Sequence, residues 1–194
     1  MATVITRASK QKRMMQFYNM QQQHSMFYLC VAYDNRWTNN PIVPVETDTI
    51  QNNSNCTILG YQTFESMKFA NVIMNPTEAD KTNPNVIFYK DSYYQTISDP
   101  TQAINAGYTK IMMTFVLNKD EYFPVTNPDG TAVMFNQLGL YSEVNPGNLP
   151  DNYFISVEDF NNLEDKGMLE LIDNRSIQSR AADQREEINI LLSF

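Results

Sequence analysis

Glu186-Glu187-Ile188-Asn189-Ile190-Leu191-Leu192-Ser193-Phe194 closes the chain. Ile188, Ile190, Leu192 and Phe194 fall on alternate positions, so the segment reads as a β-strand with one apolar face. Chain ends fray unless something holds them. A strand this apolar therefore has to pair, either in the chain's own sheet or against a neighbour. The expectation is a terminal strand that belongs to the core, with these four side chains turned inward.

Other strands are legible upstream. Met26 to Tyr33 is apolar on both alternating faces, which suits a strand covered on two sides. Met67 to Met74 ends at Asn75-Pro76, and Val86 to Tyr89 is a short strand. In Lys110 to Asn118, Ile111, Met113 and Phe115 share one face and Met112 and Val116 the other. Ala132 to Tyr141 is stopped by Asn145-Pro146-Gly147. Asn127-Pro128-Asp129-Gly130 signals a turn, and polar Glu78 to Asn85 reads as a loop. Helices are expected from Ser9 to about Gln21, capped by Ser9 with Met14, Phe17 and Tyr18 on one face, and from Thr47 to about Leu59. A third runs from Ser156 to about Asp165, opened by Ser156-Val157-Glu158-Asp159 and ended at Gly167. These elements predict an α+β chain, mainly β, with about three short helices.

The 194 residues suit one strand-rich domain, large enough to fold without disulfides or metals. Eleven Phe, eleven Tyr and one Trp point to an ordered core. The two cysteines, Cys30 and Cys56, form no CxxC pair, and Cys30 sits in an apolar run as a buried free thiol. The basic start runs into Met14-Met15-Gln16-Phe17-Tyr18-Asn19 instead of an apolar stretch, so no signal peptide is expected. No run is long enough for a membrane span. The expected setting is a reducing cytoplasm. The net charge of −8 disfavours nucleic acid. That charge is uneven: no acid precedes Asp34, while Arg7, Lys10, Lys12 and Arg13 crowd together. The cluster is either a solvated helix face or a contact to an acidic partner.

Catalytic patterns are not found. His24 is the single histidine and cannot build a zinc site or a triad alone. The six glycines never cluster into a phosphate loop. The carboxylate pairs, Asp120-Glu121, Glu158-Asp159, Glu164-Asp165 and Glu186-Glu187, are adjacent in sequence. Neighbouring side chains diverge on a helix or strand, whereas a glycosidase needs acids facing each other across a cleft. No catalytic, cofactor or metal site is expected.

Ala182-Asp183-Gln184-Arg185 together with the terminal strand closely resembles the carboxyl end of the baseplate wedge subunit family (the eighth gene product) of T-even-like contractile-tailed bacteriophages. The family pattern is Asp-Gln-x-Glu-Glu-Ile-Asn-Ile-Leu, an apolar residue, Ser or Thr, and a final Phe. Met14-Met15-Gln16-Phe17-Tyr18-Asn19 is similar to that family's Met-x-x-Phe-Tyr-Asn helix, followed by an apolar strand and a Trp, here Trp37. Tyr122-Phe123-Pro124, Glu158-Asp159 and Asn174-Arg175 agree in order. The likeness covers roughly the first 45 and the last 85 residues. The chain is short for the family, so a reduced central lobe is expected around 50–108, with the amino- and carboxyl-terminal segments packed together.

The resemblance implies a layered β-sandwich, a homodimer, no catalysis, no cofactor, and other wedge proteins of the same virion as partners. It places the protein in the tail baseplate, assembled in the host cytoplasm, holding neighbours together and taking part in rearrangement on infection. Lys10, Lys12 and Arg13 are interface candidates on this reading. Trp37, Tyr93, Tyr94 and Tyr153 are either further contacts or cover for the chain's own core. Two rivals remain at this point: an adaptor or regulatory module binding a peptide at a sheet edge, and a hydrolase with an unconventional carboxylate site.

Overall fold

The computed structural model describes residues 4–20, 26–117, 133–147, 154–180 and 185–194. In chain order the elements are α1 (Arg7–Met20), β1 (Met26–Asp34), β2 (Cys56–Ile73), α2 (Glu78–Lys81), β3 (Val86–Tyr89), β4 (Ser92–Ile97), α3 (Pro100–Asn105), β5 (Lys110–Leu117), β6 (Val133–Val144), β7 (Phe154–Ile155), α4 (Val157–Asn161), β8 (Met168–Arg180) and β9 (Glu186–Ser193). The class is α+β and mainly β, in keeping with the layered β-sandwich expected. The described residues hold four helices, not about three. They group into two units.

The first unit comprises Met1–Gln23, Glu65–Thr114 and Asn189–Phe194. Here the latter part of β2 pairs antiparallel with β4, from Phe69↔Ile97 to Ile73↔Tyr93, and β4 pairs with β3. β5 pairs with β2 and with β9. β3 and β4 meet at the two-residue turn Lys90-Asp91, where both residues have positive φ (43° and 65°). That geometry matches the twist of a tight hairpin, although Asn-Gly or Asp-Gly is its usual signature. Met14 and Phe17 of α1 are buried, and the Tyr18 ring lies 4.6 Å from that of Phe69. The Phe194 ring lies 5.6 Å from that of Phe17, and the Phe194 N–H donates to the Thr109 carbonyl.

The second unit comprises His24–Phe64 and Phe115–Ile188. Its antiparallel strands run β7-β2-β1-β6-β8. Phe27 to Ala32 are fully buried, on both faces of β1. Tyr28, Cys30 and Ala32 join Ile50, Ile58, Tyr61 and Phe160 in one apolar cluster. Phe160 stacks on Tyr61 with ring centroids 3.7 Å apart and meets Tyr28 and Tyr141 edge-on. Gly60, with φ 154°, allows Phe154 to lie where a Cβ would be, 1.8 Å from its Cζ. A side chain would displace that ring.

Several local expectations are corrected. Thr47 to Leu59 is not a helix: residues 47–55 form a loop, and Cys56 begins β2. Asparagine side chains win the local competition for backbone donors. Asn53 Oδ1 accepts from the Asn55 and Cys56 N–H groups, and Asn52 Oδ1 from Ile58 N–H. The supposed loop at Glu78 to Asn85 opens with α2, because Thr77 and Asp80 form a capping box. α1 begins before Ser9, whose N–H donates to Thr6 Oγ1. α4 ends at Asn161, with Asn162 as its C-cap. Gly167 (φ 64°) instead shapes the entry to β8, where a Cβ would lie 1.8 Å from the Ser142 carbonyl oxygen. The turn at Asn127 to Gly130, as well as His24, Tyr122-Phe123-Pro124, Asp120-Glu121 and Ala182-Asp183-Gln184, lie outside the described residues.

Candidate interaction surfaces

The loop after β1 is tied down by polar side chains of its own unit. Asn136 of β6 is fully buried; its Oδ1 accepts from Asp34 N–H at 2.7 Å. Its Nδ2 donates to the carbonyls of Asp34 (2.7 Å) and Trp37 (3.1 Å). The Asp34 carboxylate accepts from Nε and Nη2 of Arg36, at distances down to 2.6 Å. Burial works to raise the Asp34 pKa, but the hydrogen bonds from Arg36 and its charge outweigh burial and hold it below the usual value. The Arg36 guanidinium also lies 5.8 Å from the Trp37 ring centroid.

Trp37 is 5% exposed and its Nε1–H donates to the Arg175 carbonyl at 2.8 Å. It therefore packs into the chain's own core. β8 continues the attachment. Ile177 N–H donates to the Thr38 carbonyl, Ser176 Oγ–H to that of Asn39, and Asn174 Nδ2 to that of Ile42 at 2.7 Å. Val45 and Asp48 close a small turn with two mutual bonds.

Held on this frame, Pro41-Ile42-Val43-Pro44-Val45 presents apolar side chains to solvent. Ile42 is 45% exposed, Val43 81% and Val45 61%. Beside them lies a polar-walled cavity of about 370 Å³ whose lining includes Arg36, Asp48, Gln137 and Asn174. Aliphatic side chains clustered on an ordered loop mark a contact surface more strongly than scattered ones do. Sequence reasoning passed over this segment, since aliphatic residues are ordinarily assigned to the interior.

Among the residues singled out from sequence, Lys12 and Arg13 are exposed and Lys10 is half-buried. Tyr93 and Tyr94 are half-buried on β4; the Tyr93 ring lies 4.8 Å from that of exposed Phe88. Tyr153 lies outside the described residues. On β9, Ile188 and Ile190 are 2% exposed, while Leu192 and Phe194 are partly exposed.

Among the described residues the acids singled out from sequence do not assemble into an acid–base pair. Asp159 and Glu164 line a shallow cavity of about 400 Å³. Asp159 Oδ2, however, accepts from Ser156 Oγ at 2.7 Å and so serves the helix cap. No group of three or more metal-ligating side chains occurs among the described residues. Burial pushes the Cys56 thiol up to about 11 and the Cys30 thiol further, so neither is a ready thiolate.

The family model described as "Baseplate wedge 3 tail fiber network component" matches residues 3–194. No curated protein gives a match. The family is a structural, non-enzymatic one whose place is the phage tail baseplate, among other baseplate proteins. The chain belongs to the baseplate wedge 3 tail fiber network component family and is a structural part of the phage tail baseplate.

Proposed function

We propose that the chain holds its wedge neighbours in register through ordered surface segments, with the Pro41–Val45 loop as the main apolar anchor. The observation that carries this reading is the combination of exposure and restraint. Ile42, Val43 and Val45 face solvent, yet their loop is tied to β6 and β8 by side-chain and backbone bonds. An anchor that is already ordered loses little conformational freedom on docking, which favours tight and oriented contact. Apolar side chains at the centre of such a patch, with Asn and Thr around them, match the anatomy of protein interfaces.

Three finer points belong to the same reading. The chain pairs with a second copy to form a homodimer. Lys10, Lys12 and Arg13 on α1, with Tyr93 and Tyr94 near the β3–β4 hairpin, supply further contacts. During infection the chain passes movement on between its neighbours and keeps its own fold. The test is co-assembly with the other wedge proteins using a Val43→Asp/Val45→Asp variant. The variant should melt like the parent, because both side chains are largely exposed, and should fail to join the wedge. Normal incorporation would refute the anchor.

A further inference from the structure

The backbone of Pro41-Ile42-Val43-Pro44-Val45 has few conformations open to it. Each proline ring holds its own φ at roughly −65°. The ring also pushes the residue before it, here Asn40 and Val43, out of the helical region toward extended or polyproline II geometry. No helix, strand or turn occupies residues 41–45. In polyproline II geometry, with about three residues per turn, Pro41 and Pro44 fall on one side and Ile42 and Val45 on another. The segment is at the same time poorly suited to strand pairing. Pro41 and Pro44 have no N–H to give. The Val45 N–H donates to Asp48 Oδ2 at 2.8 Å, and the Ile42 carbonyl accepts from Asn174 Nδ2. Too few backbone groups remain for a partner strand to build a ladder. What the segment offers a neighbour is its side chains, and those of Pro41, Ile42, Val43 and Val45 are exposed.

The recess of about 370 Å³ beside the segment is polar, with Arg36, Asp48, Asn53, Asn55 and Asn174 in its wall. A partner that covers this surface therefore needs flat apolar faces for the prolines and valines, and polar tips for the recess. Tyr and Trp have both: a broad ring, and an O–H or N–H that takes a hydrogen-bond partner when buried. A purely aliphatic partner would exclude water from the amides of the recess and return nothing to them, which is costly. We propose that residues 41–45 dock as a polyproline II ligand in a groove walled by Tyr and Trp side chains on a neighbouring baseplate protein. The proposal rests on the reading of this loop as the wedge anchor, and it names the chemistry that receives the anchor. The prolines set the bound geometry in advance, which lowers the ordering cost of docking.

The experiment is co-assembly of the full chain with the other wedge proteins, using two variants that both keep the loop apolar. Pro41→Leu/Pro44→Leu releases φ and removes the rings. Val43→Leu leaves both prolines in place. A contact that needs only apolar area accepts the two alike, whereas a proline groove accepts only the second. The proline variant should join the wedge at least about tenfold more weakly than the parent, and Val43→Leu should join as the parent does. Thermal melting of each free variant checks its fold; Pro41→Leu alone, at an exposed position, decides if the double variant does not fold. In parent protein with isotope-labelled valine methyls, the Val43 or Val45 resonances should move upfield on assembly, because protons over an aromatic face are shielded. A proline variant that joins like the parent overturns this docking mode, and it leaves the anchor standing if Val43→Asp/Val45→Asp is still excluded. Normal incorporation of that Asp variant removes the anchor and this proposal with it. Loss of the proline variant with neither valine shifted upfield overturns the aromatic walls.

Discussion

Replacing Ile190 with Ala offers a graded test of the terminal strand. Ile190 is 2% exposed on β9, and β9 pairs with β5, whose residues Ile111 to Leu117 are buried throughout. Removing a buried isoleucine to the β-carbon costs about 2–5 kcal/mol, from lost transfer energy and the cavity left behind. Ile188, equally buried, should lose a similar amount. Leu192 is only partly buried, so Leu192→Ala should cost roughly half as much on an area basis. Phe194 is also partly exposed, but it meets Phe17 and is tethered to Thr109. Its truncation should cost about 1–2 kcal/mol, from partial burial and one aromatic pair. Urea unfolding of the four single variants, with the denaturant dependence checked for a constant slope, measures the series. The expected order is Ile188 and Ile190 above Leu192 and Phe194. Equal losses at all four positions, or a loss below about 1 kcal/mol at Ile190, would refute the assignment of β9 as a half-buried core strand.

Other consequences are open to direct measurement. Asn136→Ala should destabilise by at least about 2 kcal/mol, because Asp34 N–H and the Asp34 and Trp37 carbonyls lose their side-chain partner; retained stability in urea would show that the clamp is dispensable. Phe160→Ala should cost about 3–5 kcal/mol by emptying the aromatic cluster around Tyr61, and an unchanged near-ultraviolet dichroism spectrum would speak against it. The lowered pKa of Asp34 means that its contribution is complete above its unfolded value near pH 4 and is lost as acid takes the pH through the lower folded value. Asp34→Asn should therefore flatten the fall in stability below about pH 4, and an unaltered acid limb would contradict the ion-pair reading. Gly167→Ala should lower stability by more than about 1 kcal/mol, since it combines positive φ with a clash at the Ser142 carbonyl; a neutral result would mean that the turn can rearrange.

The apolar strands were open to reading because period-two alternation and β-branched or aromatic content survive in the sequence whatever the tertiary context. β1, β5, β6 and β9 are of this kind. β8 is not: Asp173-Asn174-Arg175-Ser176 looks like loop, yet its backbone bonds to β6 and its Asn174 and Ser176 side chains hold the Ile42 and Asn39 carbonyls. Tertiary pairing there overrides local preference. β4 was hidden for a related reason, since Lys90-Asp91 lacks the glycine that usually marks a two-residue hairpin.

The candidate surfaces show the same division. The basic cluster was legible because charge lies outside on a helix almost by default. Trp37 could not be assigned from sequence, because only the Arg175 carbonyl decides that its indole is satisfied internally. The exposed valines invert the usual rule that aliphatic residues lie inside, so binary patterning alone would have placed them in the core.

Hydroxyl-radical footprinting of Ile42 to Val45, in the isolated chain and in the assembled baseplate, tests the structural role most directly. The account predicts strong labelling in the free chain, where Val43 and Val45 face solvent, and at least severalfold protection once the wedge has formed. Equal labelling in the two states would contradict it.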